Sequence, residues 1–114
     1  MKFRMVVYMF IGSCAGACAN IKGGLTGKVV DELNEPVSGA RVVIYDERKD
    51  ERVYDEETGI DGKFEYYETN FVVFNGYCGP TLQITISKSG FTPVGKDFEH
   101  LCELREYNPI LRPE

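Results

Sequence analysis

From Gly24 onward, apolar and polar residues alternate along the chain with a period of two. This is the period of a β-strand, whose successive side chains point to opposite faces, and no stretch keeps a helical period. Half-buried strands are predicted in GLTGKVVDE, GARVVIYDE, GKFEYYETN and PTLQITISKSG. The residues expected to face the core are Leu25, Gly27, Val29, Ala40, Val42, Ile44, Phe64, Tyr66, Leu82, Ile84 and Ile86.

Turn-forming residues separate the predicted strands. Gly, Pro, Asn and Asp, which favour chain reversal, are concentrated in DELNEPVSG, GIDGK, FNGYCGP and SKSGFTP. Short strands at a spacing of roughly ten residues predict an all-β fold, and a chain of 114 residues has room for one domain. We therefore expect an antiparallel Greek-key β-sandwich of about seven strands.

Residues 1–19 have the layout of a bacterial export signal. Lys2 and Arg4 form a basic region, residues 5–12 are apolar, and small residues follow. The apolar run is too short to span a bilayer as a permanent helix. We expect residues 1–19 to be the signal and the start of a tether, and residues 20–114 to be the sandwich. A buried N-terminal strand is the alternative.

Two cysteines of this signal are candidates for lipidation. The segment IGSC, which ends at Cys14, resembles the lipobox of bacterial lipoproteins, and AGAC, which ends at Cys18, lacks the aliphatic residue three positions before the cysteine. A signal-peptidase cut after Ala19 is a third possibility. We favour Cys14 over Cys18, which predicts a lipoprotein anchored to a membrane of the cell envelope by its lipid. The alternative is a soluble periplasmic or secreted protein.

Cys78 and Cys102 are the two cysteines of the expected sandwich. Export places them in an oxidising compartment, where paired thiols persist as disulfides. We expect one bridge between them, which would close a loop of about 25 residues and stabilise a small domain by roughly 3 kcal/mol. Two free buried thiols are the alternative, because the sequence does not show that the side chains meet.

Composition and charge exclude several function classes. The chain has no Trp and one histidine, His100, which cannot build a multi-histidine metal site and is interpreted as a surface residue. The formal net charge is -5, from 13 basic and 18 acidic residues. Binding to nucleic acid depends on clusters of Lys and Arg, so we expect no nucleic-acid partner.

The stretch ETGIDGKFEY contains an Asp-Gly pair, Asp61 and Gly62, for which we considered a calcium site. Glu57, Asp61 and Glu68 take three ligand positions of an EF-hand loop. However, Gly59 stands where another ligand is needed, and the flanking segments alternate as strands instead of helices. We therefore predict no metal here but a structural turn, a hairpin corner in which Gly62 has a positive φ beside Asp61.

Lys28 lies in the first predicted strand and Asn108 near the last one. Adhesin domains that form an intramolecular isopeptide bond have a lysine and an asparagine in this arrangement. The alternation puts Lys28 on the face opposite to Leu25 and Val29, so its amine is expected to face solvent. Such a bond needs a buried amine, and we therefore predict none.

Three segments resemble, in order, the carboxypeptidase regulatory-like domain: GKVVDELNEPVSGARVVIYD, ETGIDGKFEY and LQITISKSGF. They match a Gly-x-Val strand, a Pro-Val-x-Gly-Ala turn, a Thr-(Asp)-x-Asp-Gly-x-Phe corner and a Leu-x-Ile strand ending in Gly-Phe. The first corner Asp of that family is Gly59 here, which leaves Asp61 and Gly62 to hold the turn. The resemblance implies a transthyretin-like sandwich, an accessory fold with no chemistry of its own.

The related hydroxyisourate hydrolases share the implied fold but require several histidines and a C-terminal Tyr-Arg-Gly-Ser, whereas this chain has one histidine and ends NPILRPE. We therefore expect a protein that is not an enzyme and needs no cofactor, with a structural or protein-binding role and an unidentified envelope protein as partner. The alternative is a carbohydrate-binding module with a glycan partner. Its platform would be formed by outward tyrosines, for which the candidates are Tyr45, Tyr54, Tyr67 and Tyr77.

Overall fold

The computed structural model of the protein describes residues 23–68, 81–99 and 103–114. These ranges form strands and turns, and no helix with the length and hydropathy needed to cross a membrane occurs in them. The strands are β1 (Gly23–Lys28), β2 (Val30–Asp31), β3 (Arg41–Asp46), β4 (Glu51–Glu57), β5 (Lys63–Glu68), β6 (Leu82–Ser87), β7 (Val94–Phe98), β8 (Leu104–Glu106) and β9 (Ile110–Leu111).

The strands form two main sheets and a short extension. The larger sheet has the order β4-β3-β6-β7 and is antiparallel throughout. The smaller has the order β5-β1-β8, with β1 antiparallel to β5 and parallel to β8. β2 follows β1 after the single residue Val29, and it pairs in parallel with β9, which follows β8. The predicted all-β sandwich is confirmed, whereas the parallel pairing was not predicted.

The core lies between the two main sheets and is built from alternate residues of their strands. The predicted inward positions of β3 and β6, among them Val42, Ile44 and Ile84, have no exposed surface. Removing one large aliphatic side chain from water contributes about 1.5–3 kcal/mol, so these alternating positions specify the face that each strand buries. Gly27 and Tyr66, also predicted inward, are half-buried.

The connection between β4 and β5 is a corner between the two sheets, and the predicted hairpin is wrong. β4 is an edge strand of the larger sheet and β5 an edge strand of the smaller one. The buried hydroxyl of Thr58 accepts a hydrogen bond from the Ala40 amide (2.9 Å) and donates one to the Val37 carbonyl (2.7 Å). These bonds fix the end of β4 to the turn before β3, so the chain crosses to the other sheet instead of folding back on β4.

Gly62 closes this corner. Its φ is 76°, positive as the sequence predicted. Its amide donates to the Gly59 carbonyl (2.9 Å), and its carbonyl accepts from the Val29 amide (2.8 Å). The Asp61 carboxylate accepts a hydrogen bond from the Lys63 amide (3.0 Å). The corner is therefore held by hydrogen bonds within the turn and by one to Val29. The residues that the structure describes contain no group of three or more His, Cys, Asp or Glu side chains placed to hold a metal ion.

Several sequence predictions concern residues outside the described ranges. They are the signal and tether, the lipidation candidates Cys14 and Cys18, the bridge between Cys78 and Cys102, and the positions of His100 and Tyr77. All of them stay predictions.

Candidate functional site

The outward side chains of the three-stranded sheet form three rows across it. Register partners on neighbouring strands share a face, so β5, β1 and β8 each contribute to a row. An apolar row is followed along β1 by an acidic row and then by a basic row. The apolar row consists of Tyr67, Gly24 and Leu104, the acidic row of Glu65, Thr26 and Glu106, and the basic row of Lys63 and Lys28. We call this surface the three-row face.

The apolar row exposes two large side chains on either side of a glycine. Tyr67 is 45% exposed and Leu104 is 54% exposed. Gly24 lies between them on β1, where an added side chain would overlap the Tyr66 carbonyl oxygen and come within 3.1 Å of Leu104 Cδ2. Only glycine fits at this position, and it is itself buried between its larger neighbours.

The two charged rows place like charges close together. Glu65 and Glu106 flank Thr26, and Lys28 is the direct register partner of Lys63. Like charges opposite one another destabilise a strand pair. Within the described part of the chain, none of these four charged groups lies within ion-pair distance of an opposite charge. The face therefore presents a negative row beside a positive row, and their charged groups form no close ion pair with one another or with another described residue.

The outer face of the four-stranded sheet carries a cluster of ion pairs. Arg41 forms two hydrogen bonds with the Asp55 carboxylate (2.9 and 2.7 Å), and Arg52 adds a third (3.1 Å). The hydrogen bond from Arg41, with the charges of both arginines, lowers the pKa of Asp55 to about 2. The four charged groups of the three-row face form no such cluster of close ion pairs.

Asn108 fixes the basic end of the three-row face. Its side-chain oxygen accepts a hydrogen bond from the backbone amide of Lys28 (2.9 Å), and the neighbouring Tyr107 amide donates to the Thr26 carbonyl (2.9 Å). Lys28 is exposed, so the asparagine side chain binds the lysine backbone and not its amine. A groove of about 410 Å³ runs over this part of the sheet. Its lining includes Thr26, Lys28, Lys63, Glu65, Tyr67, Glu106 and Asn108.

A second polar cluster is buried between the sheets at the end where β3 and β5 finish. The carboxylate of Asp46, which is 1% exposed, accepts hydrogen bonds from the Arg48 and Lys49 amides and holds the turn after β3. Glu68 accepts a hydrogen bond from the Tyr66 hydroxyl (3.2 Å) and lies 3.7 Å from the Lys49 amine. Burial, and then the charge of Glu68, raises the pKa of Tyr66, so its phenol stays protonated. These acids have internal partners and support the fold.

The three described tyrosines proposed for a sugar platform, Tyr45, Tyr54 and Tyr67, do not share a surface. Tyr45 lies on the outer face of the four-stranded sheet and Tyr67 on the three-row face. Tyr54, predicted to point outward, points inward and packs edge-to-face on Tyr66, with ring centroids 6.1 Å apart. A register shift in β4, opposite the Ile44–Tyr45 step of β3, is the physical reason, because a bulge allows Val53 and Tyr54 both to pack against the core.

Sequence reasoning did not find the three-row face. Its local signal was present in the outward residues of GLTGK and KFEYY, which are Thr26, Lys28, Lys63, Glu65 and Tyr67. The information that these strands pair, and that the short β8 lies on the other side of β1, is not contained in either stretch. The Asp61–Gly62 pair that the sequence emphasised is a structural corner next to Lys63.

Comparison with known proteins identifies the fold but no family. No protein-family model matches the sequence, and no curated protein matches it. Among solved structures, hydroxyquinol 1,2-dioxygenase from Pseudomonas putida DLL-E4 is similar at a TM-score of 0.58 and 11% identity, over 83% of this chain and 57% of that one. The chain therefore spans somewhat more than half the length of that enzyme.

Two other similar structures are covered over more of their length. The 5-hydroxyisourate hydrolase of Klebsiella pneumoniae has a TM-score of 0.56 and 17% identity, over 80% of this chain and 91% of that one. A dioxygenase domain from a dioxygenase carbohydrate-binding protein fusion of Streptomyces sp. SirexAA-E has a TM-score of 0.53 and 12% identity, over 94% of this chain and 83% of that one.

These neighbours correct one expectation drawn from the sequence. The prediction that the protein is not an enzyme depended on a fold without chemistry of its own, and it is contradicted because solved proteins of this fold include dioxygenases and a hydrolase. At identities between 11% and 17% the likeness concerns architecture alone and transfers no substrate or site to this chain. The chain is a transthyretin-like β-sandwich.

Proposed function

We propose that this chain is an exported domain of the carboxypeptidase regulatory-like type, held at the cell envelope by a lipid on Cys14, and that it binds a protein partner through the three-row face. The observation that carries the proposal is the pair of exposed apolar side chains, Tyr67 and Leu104, beside charged rows that form no ion pair among the described residues. The order of the strand and turn motifs in the sequence supports the family assignment, and the signal-like N-terminus supports export.

The composition of the three-row face favours a protein as the partner. Protein interfaces are enriched in aromatic anchors surrounded by a polar rim, and Tyr67 beside its charged neighbours has this arrangement. A glycan platform needs aromatic rings in one plane, whereas the described tyrosines lie on separate surfaces. The two acids of the middle row and the net charge of -5 disfavour anionic lipid headgroups and nucleic acid.

Site-specific photo-cross-linking in native envelopes tests the binding face. A photoreactive amino acid is placed at Leu104 in one variant and at Thr85 in a matched control. Both positions are exposed on short strands, but Thr85 lies on the outer face of the opposite sheet. We expect a discrete cross-linked protein from the Leu104 variant alone, and its loss when Tyr67→Ala is added. Equal cross-linking from both positions, or none from either, would contradict the proposed binding face.

Membrane fractionation tests the anchor separately. Cys14→Ser is expected to release the protein from the membrane fraction, and Cys18→Ser to leave it bound. Release by Cys18→Ser instead would move the lipid to the second cysteine. If the unmodified protein is soluble, or if the double variant stays bound, the lipoprotein proposal is wrong and cleavage after Ala19 takes its place.

A further inference from the structure

We infer that the partner contributes an extended segment that lies along β1, with an apolar, a basic and an acidic side chain at alternate positions. The inference rests on the proposed binding face and adds the chemistry of what that face recognises. It follows from the shape of the three-row face, from the spacing of its rows and from the sign of each row.

The shape is that of a trough. Thr26 on β1 carries the smallest side chain of the acidic row and forms the floor of the groove, whereas Gly24 is buried beside it. The flanking strands supply taller walls, with Tyr67 and Glu65 on one side and Leu104 on the other. The wall strands are two interstrand spacings apart, about 9.6 Å. An α-helix with its side chains is about 10–12 Å wide and does not fit between such walls, whereas a single extended strand does.

The spacing of the rows also matches an extended segment. Successive rows are two residues apart on β1, which corresponds to about 6.8 Å along the strand. Alternate side chains of another extended chain have the same repeat and point to one side of it. Three consecutive rows therefore meet three alternate side chains without a change of register.

The sign of each row specifies the matching side chain. An apolar group packs against the exposed side chains of Tyr67 and Leu104. A lysine or arginine enters the acidic row between Glu65 and Glu106, where it relieves the repulsion of two carboxylates. A carboxylate then reaches the basic row, where Lys28 and Lys63 are direct register partners of like charge.

A second copy of this chain does not satisfy the three rows. Two copies related by a two-fold axis along the strands would bring apolar row onto apolar row, but also acid onto acid and base onto base. A two-fold axis perpendicular to the strands brings the acidic row of one copy onto the basic row of the other only if the axis passes between these two rows. The apolar rows of the two copies then do not meet each other. The pattern therefore requires a partner with a different sequence.

Synthetic peptides test the inference directly. The probes are blocked peptides of the order Leu-Thr-Arg-Thr-Glu and its reverse, because the side chains can meet the rows in either backbone direction. The controls exchange Arg and Glu in each peptide and thus keep length, composition and net charge. NMR titration of the purified full-length protein measures the dissociation constants. We expect one probe to bind about tenfold more tightly than its control, with shifts confined to the three-row face.

A charge exchange within the protein completes the test. Lys63→Glu combined with Glu65→Lys keeps the net charge but gives each charged row one group of each sign. It should reduce the preference between probe and control to about one, while the same exchange at Arg41 and Asp55 on the other sheet should leave it unchanged. Equal binding of probes and controls, or no binding of any peptide, would overturn the extended-segment inference. If cross-linking from Leu104 persists in that case, the binding face itself stands.

Discussion

Substitution of Gly62 by alanine probes the corner that joins the two sheets. An alanine at a φ of 76° is in the left-handed region, which costs about 1–2 kcal/mol. Its methyl group would also lie 2.5 Å from the Val29 carbonyl oxygen and 3.2 Å from Pro36 Cβ. Relieving such overlap costs about 1–3 kcal/mol. We expect Gly62→Ala to lower the free energy of unfolding by about 2–5 kcal/mol, a large share of the roughly 5–15 kcal/mol typical of a domain.

Two other glycines separate the cost of the left-handed backbone from the cost of the steric overlap. Gly90 has a φ of 90° but no atom within 4 Å of an added Cβ, so Gly90→Ala should cost only the left-handed term, about 1–2 kcal/mol. Gly59 lies in the same turn as Gly62 without a positive φ, and its added Cβ would be at an ordinary 3.4 Å from Asp61 Oδ1. Gly59→Ala should therefore be nearly neutral. The difference between the Gly62 and Gly90 variants measures the close approach to Val29.

Urea unfolding followed by far-UV circular dichroism is the appropriate assay, because the chain has no Trp to report on the core. The slopes of the transitions should agree among the variants, so that the midpoints report stability alone. If Gly62→Ala lost no more stability than Gly90→Ala, the close packing of the corner against Val29 would be refuted.

Three further substitutions test separate contacts. Thr58→Val should lower the free energy of unfolding by about 2–3 kcal/mol in the same urea assay, because it leaves a buried donor and a buried acceptor without a partner, and Thr58→Ser should recover most of the loss. The pKa of Asp55 is lowered from 3.8 to about 2 mainly by its hydrogen bond with Arg41. The ionised carboxylate therefore stabilises the folded state above about pH 4, and this stabilisation is lost as the pH falls to about 2. Asp55→Asn should accordingly remove part of the acid sensitivity in that window, and an unchanged acid titration of stability would contradict this. Burial raises the pKa of Tyr66 above its ordinary 10.0, so its contribution is present below about pH 10 and is lost as the pH rises further. Tyr66→Phe should therefore lose less stability than the unmodified protein as the pH rises above 10, and equal losses in the urea assay would contradict this.

The fold could be predicted where local pattern decides it. In β3 and β6 the alternation of apolar residues is strict, and the buried faces are those expected from the sequence. The connection after β4 could not be predicted in this way, because Asp61 and Gly62 favour a chain reversal without indicating which strand comes next to β5. That choice depends on the hydroxyl of Thr58 and on a turn about twenty residues earlier.

The candidate site was less accessible to sequence reasoning than the core. Each wall and the floor of the three-row face come from a different part of the chain, and β8 has only three residues, too few to show a period. The inward position of Tyr54 depends on a shift of register between β3 and β4. At the Ile44–Tyr45 step of β3, strand β4 has one extra residue, which changes the face of the β4 residues on one side of the shift. Such irregularities depend on pairing between strands, and the alternation within one strand does not reveal them.

The parallel pairing of β1 with β8 also sets the order in which the domain can be completed during synthesis. The hydrogen bond from the Lys28 amide to Asn108 joins residues 80 positions apart, so the central strand of the smaller sheet lacks one of its neighbours until the last part of the domain has left the ribosome. Pairing at such sequence separation is slow, because a long loop must close before its contacts form. For a chain that crosses a membrane in an unfolded state, this delay keeps it competent for translocation.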